Sequence, residues 1–295
     1  LSTTGTITAN VDINSTTGHV TLVASNSIAL TDSADVRTDG GAGTINLEAT
    51  TGSITQHDNS RIISDTGEIR LLAAIDITLG GITTNTDASL TATTGSIIDA
   101  GDAAGGEDVI ALGLRLWAGT GIGGATTHLE TLITTLTARA TSGGVFLTET
   151  DALTIGDVSA TVQKVGVATT TTPVTDATQS DLITTAGNGS IVILTGGDLT
   201  LNDGSAGTAN TAVSAHGSGN VLLQTTGVIT ANADTISTTG HITFVASDSI
   251  TYAATADVTT GGTGTINLEA TTGSITQDDN SRLTTDLGDI RLLAD

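Results

Sequence analysis

The sequence contains no cysteine and no methionine. It has one proline, one tryptophan, one tyrosine and two phenylalanines in 295 residues. Without cysteine there are no disulfides and no thiolate metal ligands. With aromatics at 1%, a thick globular core is excluded, because large rings normally supply much of such a core's buried area. The apolar residues that remain, mostly Ile, Val, Leu and Ala, suit a thin, elongated body. Basic residues are also scarce: Lys+Arg 8 stand against Asp+Glu 31, for a formal net charge of −23. Such a field repels nucleic acid and anionic lipid and attracts cations. No apolar run reaches 18 residues and no charged-then-apolar leader is visible, so neither a membrane span nor a signal peptide is expected in this stretch. A chain wholly without Met is expected to be an excerpt or processed piece of something longer.

What the sequence has in excess is Thr, about a fifth of all residues, and Gly, with 37. It also repeats itself. "GTINLEATTGSITQ" occurs at 43–56 and, letter for letter, at 264–277. The match extends outward, so that residues 5–73 return as 227–294, a super-repeat of about 222 residues. Within it runs a shorter pattern, apolar-x-apolar-x-Ala followed by a small turn. It reads "VTLVA" from Val20, "INLEA" from Ile45, "IRLLA" from Ile69, "ASLTA" from Ala88, "LRLWA" from Leu114 and "LTARA" from Leu136. After a double interval it resumes with "IVILT" from Ile191, "VLLQT" from Val221, "ITFVA" from Ile242, "INLEA" from Ile266 and "IRLLA" from Ile290.

Period-two alternation is a strand signal. Stacked, these strands give two aliphatic columns and one of Ala or Thr, all facing inward. A "TTG"-like corner follows at Gly52, Gly95, Gly143, Gly227 and Gly273, where glycine is expected to supply positive φ. Shorter strands follow, as in "SITQ" from Ser53 and "RIIS" from Arg61. Three short strands and three bends per ~24 residues make one coil of an all-β, parallel, right-handed β-helix. Residues 1–295 then hold about 10–12 coils in a single continuous solenoid, with neighbouring coils about 4.8 Å apart. An antiparallel sandwich is the competing fold, but it calls for Asn-Gly or Asp-Gly hairpin turns between strands. The Thr and Gly load excludes a helical protein. Residues 156–188, with the only Lys (Lys164) and the only Pro (Pro173), break the pattern and read as an irregular insertion.

Chemistry is sparse. The five histidines form no HxH or HExxH, and His57 is replaced by Asp279 in the second copy. One dense acidic loop, with Asp99, Asp102, Glu107 and Asp108, is the calcium candidate. No other cofactor is expected. Paired carboxylates of the glycosidase kind do not stand out, so no catalytic site is expected. The residues between the inward columns point out: Val23, Glu48, Leu72, Thr91, Trp117, Arg139, Leu194, Gln224, Val245, Glu269 and Leu293. Half are apolar, and an apolar stripe holding the only Trp suggests a contact surface. The interface candidates are Val23, Leu72, Trp117, Arg139, Leu194, Val245 and Leu293. Either segment 156–188 folds back over the stripe or a neighbouring rod packs on it; lateral association between rods is the expectation.

The strand columns and the "ATTGSITQ" corners resemble the repeat regions of very large bacterial surface proteins, the filamentous-haemagglutinin-like and related β-strand-repeat adhesins. The resemblance covers nearly the whole chain and is specific to architecture. It implies a secreted or cell-surface rod that spaces, adheres or forms a matrix. Its expected partners are copies of itself, end to end or side by side, and glycans or a neighbouring or host cell surface. The alternative class is a carbohydrate-binding or carbohydrate-cleaving β-helix.

Overall fold

The computed structural model describes residues 1–32, 34–101 and 106–295. They form a parallel β-solenoid of about 12 turns of ~24 residues, with no helix among them. Each coil contributes one strand to each of three faces. The first face starts with Ser2–Thr3, Val20–Ala24, Ile45–Ala49, Ile69–Ala73 and Asp87–Ala92, in register. The second starts with Ile7–Ala9, Ile28–Leu30, Ile54–Gln56 and Ile77–Leu79. The third starts with Ile13–Ser15, Val36–Thr38 and Ile62–Ser64. The interior is one narrow column of aliphatics: Leu22, Leu47, Leu71, Leu90 and Leu116 stack, each at 0% exposure. Each buried aliphatic contributes roughly 1.5–3 kcal/mol, so the thin core suffices because it is continuous along the rod.

The abundance of Thr has a local cause. At the corners, Thr hydroxyls donate to backbone carbonyls one coil back: Thr51 to Ser25 O (2.6 Å), Thr94 to Ala74 O (2.6 Å), Thr272 to Ser247 O (2.7 Å). The corner glycines have a different role from the one expected. None of Gly52, Gly95, Gly143, Gly227 and Gly273 has positive φ. They are small because successive coils pass too closely for a side chain. A Cβ on Gly95 would lie 2.7 Å from the Ile75 carbonyl carbon and oxygen, well inside contact distance.

The five-residue strands do not form a single column. From Leu136–Ala140 the first face continues through Leu182–Thr184, Thr211–Ala215, Asp234–Ser237, Val258–Thr260 and Leu283–Thr285. The later long strands, Ile191–Thr195, Val221–Thr225, Ile242–Ala246, Ile266–Ala270 and Ile290–Ala294, stack on Val145–Glu149. That strand continues the second face through the Ile97–Ile122–Val145 bridges. Midway, the long strand has moved one face around the prism. The two copies of "GTINLEATTGSITQ" therefore occupy different faces. Two unusually long strands, Val109–Ala118 and Leu129–Ala140, carry the shift by running through a corner without turning. Leu129–Ala140 changes partner along its length, from Leu147–Glu149 to Thr154–Ile155, which leaves the Ile133 N–H without a strand partner. Glu149, in a column otherwise of Ala and Thr, fills the gap. Its carboxylate accepts from Ile133 N–H (3.1 Å) and Thr131 Oγ1 (2.6 Å). Burial pushes Glu149 up to about 7.

Candidate functional site

Regular coils flank the irregular segment closely, with Leu153–Ile155 on the third face and Leu182–Thr184 on the first. Between them lies an antiparallel hairpin, Val158–Val165 with Thr171–Gln179. It lies across the outer side of the first face and touches strands from Val20–Ala24 to Leu129–Ala140. Alternation governs this strand too: Val158, Ala160 and Val162 are buried beneath it. Its backbone N–H groups find side-chain acceptors on successive coils. Val165 donates to Thr21 Oγ1 (3.0 Å), Gln163 to Thr44 Oγ1 (2.8 Å) and Thr161 to the Glu68 carboxylate.

The hairpin buries outward polar residues of the first face: Asn46 and Ser89 at 0% exposure, Arg70 at 6% and Glu48 at 7%. Buried charges need partners, and here each has them. Glu48 accepts from Asn46 Nδ2 (3.1 Å), Arg70 Nη1 (3.0 Å) and Lys164 Nζ. Burial pushes Glu48 up, but Lys164, Asn46 and Arg70 together hold it below its ordinary value. Arg70 Nε donates to Asp176 Oδ1 (2.8 Å), whose Oδ2 accepts from Ser89 Oγ (2.7 Å). The only Lys and an Asp of the hairpin thus complete a charge network begun by the coil.

The outward column read from the sequence is accordingly two columns. Val23, Leu72, Trp117 and Arg139 stand on the first face, whereas Leu194, Val245 and Leu293 stand on the second. On the first face the cover over Glu48 and its neighbours is the chain's own hairpin, the first of the two covers considered and not the one expected. The strand register itself is as expected: Leu116 and Ala118 point inward at 0% exposure, and Trp117 points out, half-buried.

Beside the hairpin's second strand the first face keeps an open groove of about 530 Å³. Arg115, Trp117, Arg139 and Ile183 stand on its floor as outward residues of neighbouring strands, with Thr141 and Thr185 just beyond them, and Ala177–Ser180, Ala206 and Gly207 also line it. Arg115 Nε donates to Ala177 O (3.1 Å) and its Nη1 reaches Ser89 Oγ (3.3 Å). Burial lowers the Arg115 guanidinium from its ordinary value; Asp176 opposes the shift and Arg70 adds to it. Gln179 Nε2 anchors the Ala177–Ser180 segment through Leu116 O (2.8 Å) and Thr137 Oγ1 (3.2 Å). Arg70, Arg115, Asp176 and Gln179 escaped the sequence reading, which noted Lys164 only as part of the irregular segment. Only the fourth position of each strand was followed outward, while Arg70 and Arg115 occupy the second. The complementary charges of Lys164 and Asp176 were the available signal.

Of the calcium candidates, Asp102 lies outside the described residues. Asp99 Oδ1 accepts from Gly101 N–H (2.6 Å), Glu107 Oε1 from Thr150 Oγ1 (3.0 Å) and Asp108 Oδ2 from Glu130 N–H (3.1 Å). Among the described residues, no three His, Cys, Asp or Glu side chains converge as a metal-ligand set. Burial first, then Asp99 and Glu130, push Asp108 up to about 8. His19 and His241, equivalent in the two copies, join coils: each Nδ1 accepts the next coil's N–H, from Thr44 (3.0 Å) and Thr265 (3.1 Å). Compared with family models, curated proteins and solved structures, the chain matches none.

Proposed function

We propose that this chain is a structural rod, a length of shaft from a very large secreted or cell-surface repeat protein of the adhesin, surface-filament or matrix-fibre kind, and that it is non-catalytic. The observation that carries this reading is uniformity. The same inward side chains recur on coil after coil, and the strand ladders persist from Val20–Ala24 to Ile290–Ala294 through a change of face. A super-repeat of about 222 residues lengthens a solenoid without posing a new packing problem, as repeat architectures allow. Self-association, end to end or laterally, belongs to the proposal, and the half-buried Leu194 and Val245 on the second face support a lateral contact.

The test is to raise antibodies against residues 1–295 and label intact and permeabilised cells that express the whole gene, imaging the labelled particles by electron microscopy. Labelling of intact cells along extended rods is expected. Label confined to permeabilised cells, or turnover of pectin, alginate or glycosaminoglycan by this chain that a carboxylate substitution abolishes, would overturn the reading. The second reading, a carbohydrate-binding β-helix, draws on one place only, the groove floored by Trp117.

A further inference from the structure

We propose that the groove beside the hairpin is a binding site for an acidic saccharide unit, a pyranose bearing a carboxylate, stacked on Trp117 and held through its carboxylate by Arg115 and Arg139. The chain has 8 basic residues against 31 acidic ones, yet two arginines and no carboxylate line this groove. Among the described residues, neither arginine forms an ion pair, whereas Arg70 and Lys164 a few coils away do. Arg115 and Trp117 share a strand with one inward residue between them, and Arg139 is Trp117's direct partner on the next strand. Both guanidiniums therefore start from backbone positions about 5–7 Å from that of the indole, by the spacings of strands and of alternate residues.

The chemistry of the lining selects among anions. An outward, half-buried indole offers an apolar face to the C–H side of a sugar ring. Thr141, Thr178 and Thr185 around it carry hydroxyls suited to a ligand rich in hydroxyls. Guanidinium forks match a carboxylate in two-point geometry. The groove's volume, about 530 Å³, lies in the range of small-ligand sites. A phosphate-dense strand would run out over the acidic surface of a −23 chain. A single acidic sugar meets the two arginines first: Asp176, which shares Ser89 Oγ with Arg115, is already paired with Arg70, and salt screens carboxylates beyond about 8–10 Å.

The experiment uses the chain as it is, with Trp117 as its only tryptophan and hence its own reporter. Oligogalacturonate is titrated while indole emission is followed, in parallel with the fully methyl-esterified oligomer, inorganic phosphate and poly-glutamate. The expected result is a saturable emission change with oligogalacturonate alone, weakened about ten-fold or more in Arg139→Gln, the size expected for losing a charge-assisted hydrogen bond. Arg139 is exposed, so this variant is expected to keep wild-type circular dichroism. Trp117→Ala, followed by calorimetry, is expected to abolish binding. No binding up to millimolar oligomer, equal binding of the ester, binding of phosphate or poly-glutamate instead, or an Arg139→Gln affinity equal to wild type would each overturn the proposal. Should Trp117→Ala fail to fold, the Arg139→Gln and ester comparisons decide.

Discussion

The chain carries its own control for the energetics of the hairpin. Asn46, Glu48 and Arg70 recur as Asn267, Glu269 and Arg291, with the same Arg–Asn hydrogen bond: Arg70 Nη1 to Asn46 Oδ1 (3.1 Å) and Arg291 Nη1 to Asn267 Oδ1 (2.7 Å). Local sequence is therefore matched, while the face, the cover and the coil above differ: Ile69–Ala73 lies between two strands, whereas Ile290–Ala294 pairs on one side only. In the first copy the Arg70 and Glu48 side chains are 8% and 10% exposed, with Lys164 and Asp176 added from the hairpin. In the second copy Arg291 and Glu269 are 55% and 35% exposed and pair only with each other, at 3.2 Å. Removing one member of a buried pair strands the other and costs roughly 3–5 kcal/mol. Because Arg70 keeps Asp176, Glu48→Ala belongs at the lower end, about 3 kcal/mol. Glu269→Ala loses only an exposed pair, about 0.2–1 kcal/mol. Solenoids can unfold by segments, so urea midpoints are to be read beside hydrogen exchange at Ile45–Ala49 and at Ile266–Ala270. A large loss of protection is expected around Ile45–Ala49 in Glu48→Ala, with little change around Ile266–Ala270 in Glu269→Ala. Equal effects in the two copies would refute the reasoning, since they would mean that the hairpin's cover adds nothing to the shared triad.

Burial raises Asp108 to about 8, Glu149 to about 7 and Asp181 to about 6. The native state therefore holds these protons over a range in which the unfolded chain has released them. Stability should fall as the pH rises from about 4 to about 8, read as a lower urea midpoint at pH 8.5 than at pH 5, with the slope near pH 6–7 reduced in Glu149→Gln. A rise in stability over that range would contradict the assignment. Gly95→Ala, which drives a Cβ against the Ile75 carbonyl, should cost about 1–3 kcal/mol as an overpacked site; a melting temperature within 1 °C of wild type would show that the corner can yield. The Tyr252 hydroxyl is buried without a partner in the structure. Tyr252→Phe is thus expected to stabilise the chain by about 1 kcal/mol, and a lower denaturation midpoint would show that the hydroxyl is satisfied.

Much of the fold was legible because strand alternation writes burial into the letters. Val20, Leu22 and Ala24 face inward with Thr21 and Val23 between them, and the same reading placed Trp117 outward, as found. The coil unit and the duplication followed from the same letters. The role of the corner glycines did not follow, because positive φ and close approach between coils select the same residue; only coordinates separate them. The groove was half legible. Trp117 and Arg139 were singled out, but Arg115 and the wall Ala177–Ser180 become their neighbours only when the hairpin lies down.

By itself the sequence determined which side of each strand is apolar, how many strands make a coil, and that neighbouring coils stack in register. Tertiary structure alone decided which face each coil's long strand occupies. All three faces present the same aliphatic alternation to the same thin core, so a strand such as "INLEA" packs equally well on the first face at Ile45–Ala49 or on the second at Ile266–Ala270. The choice is made by two strands that pass a corner without turning, with Glu149 capping the N–H this leaves over. It in turn decides that Glu48 and Arg70 lie under the hairpin while Glu269 and Arg291, on the second face, do not.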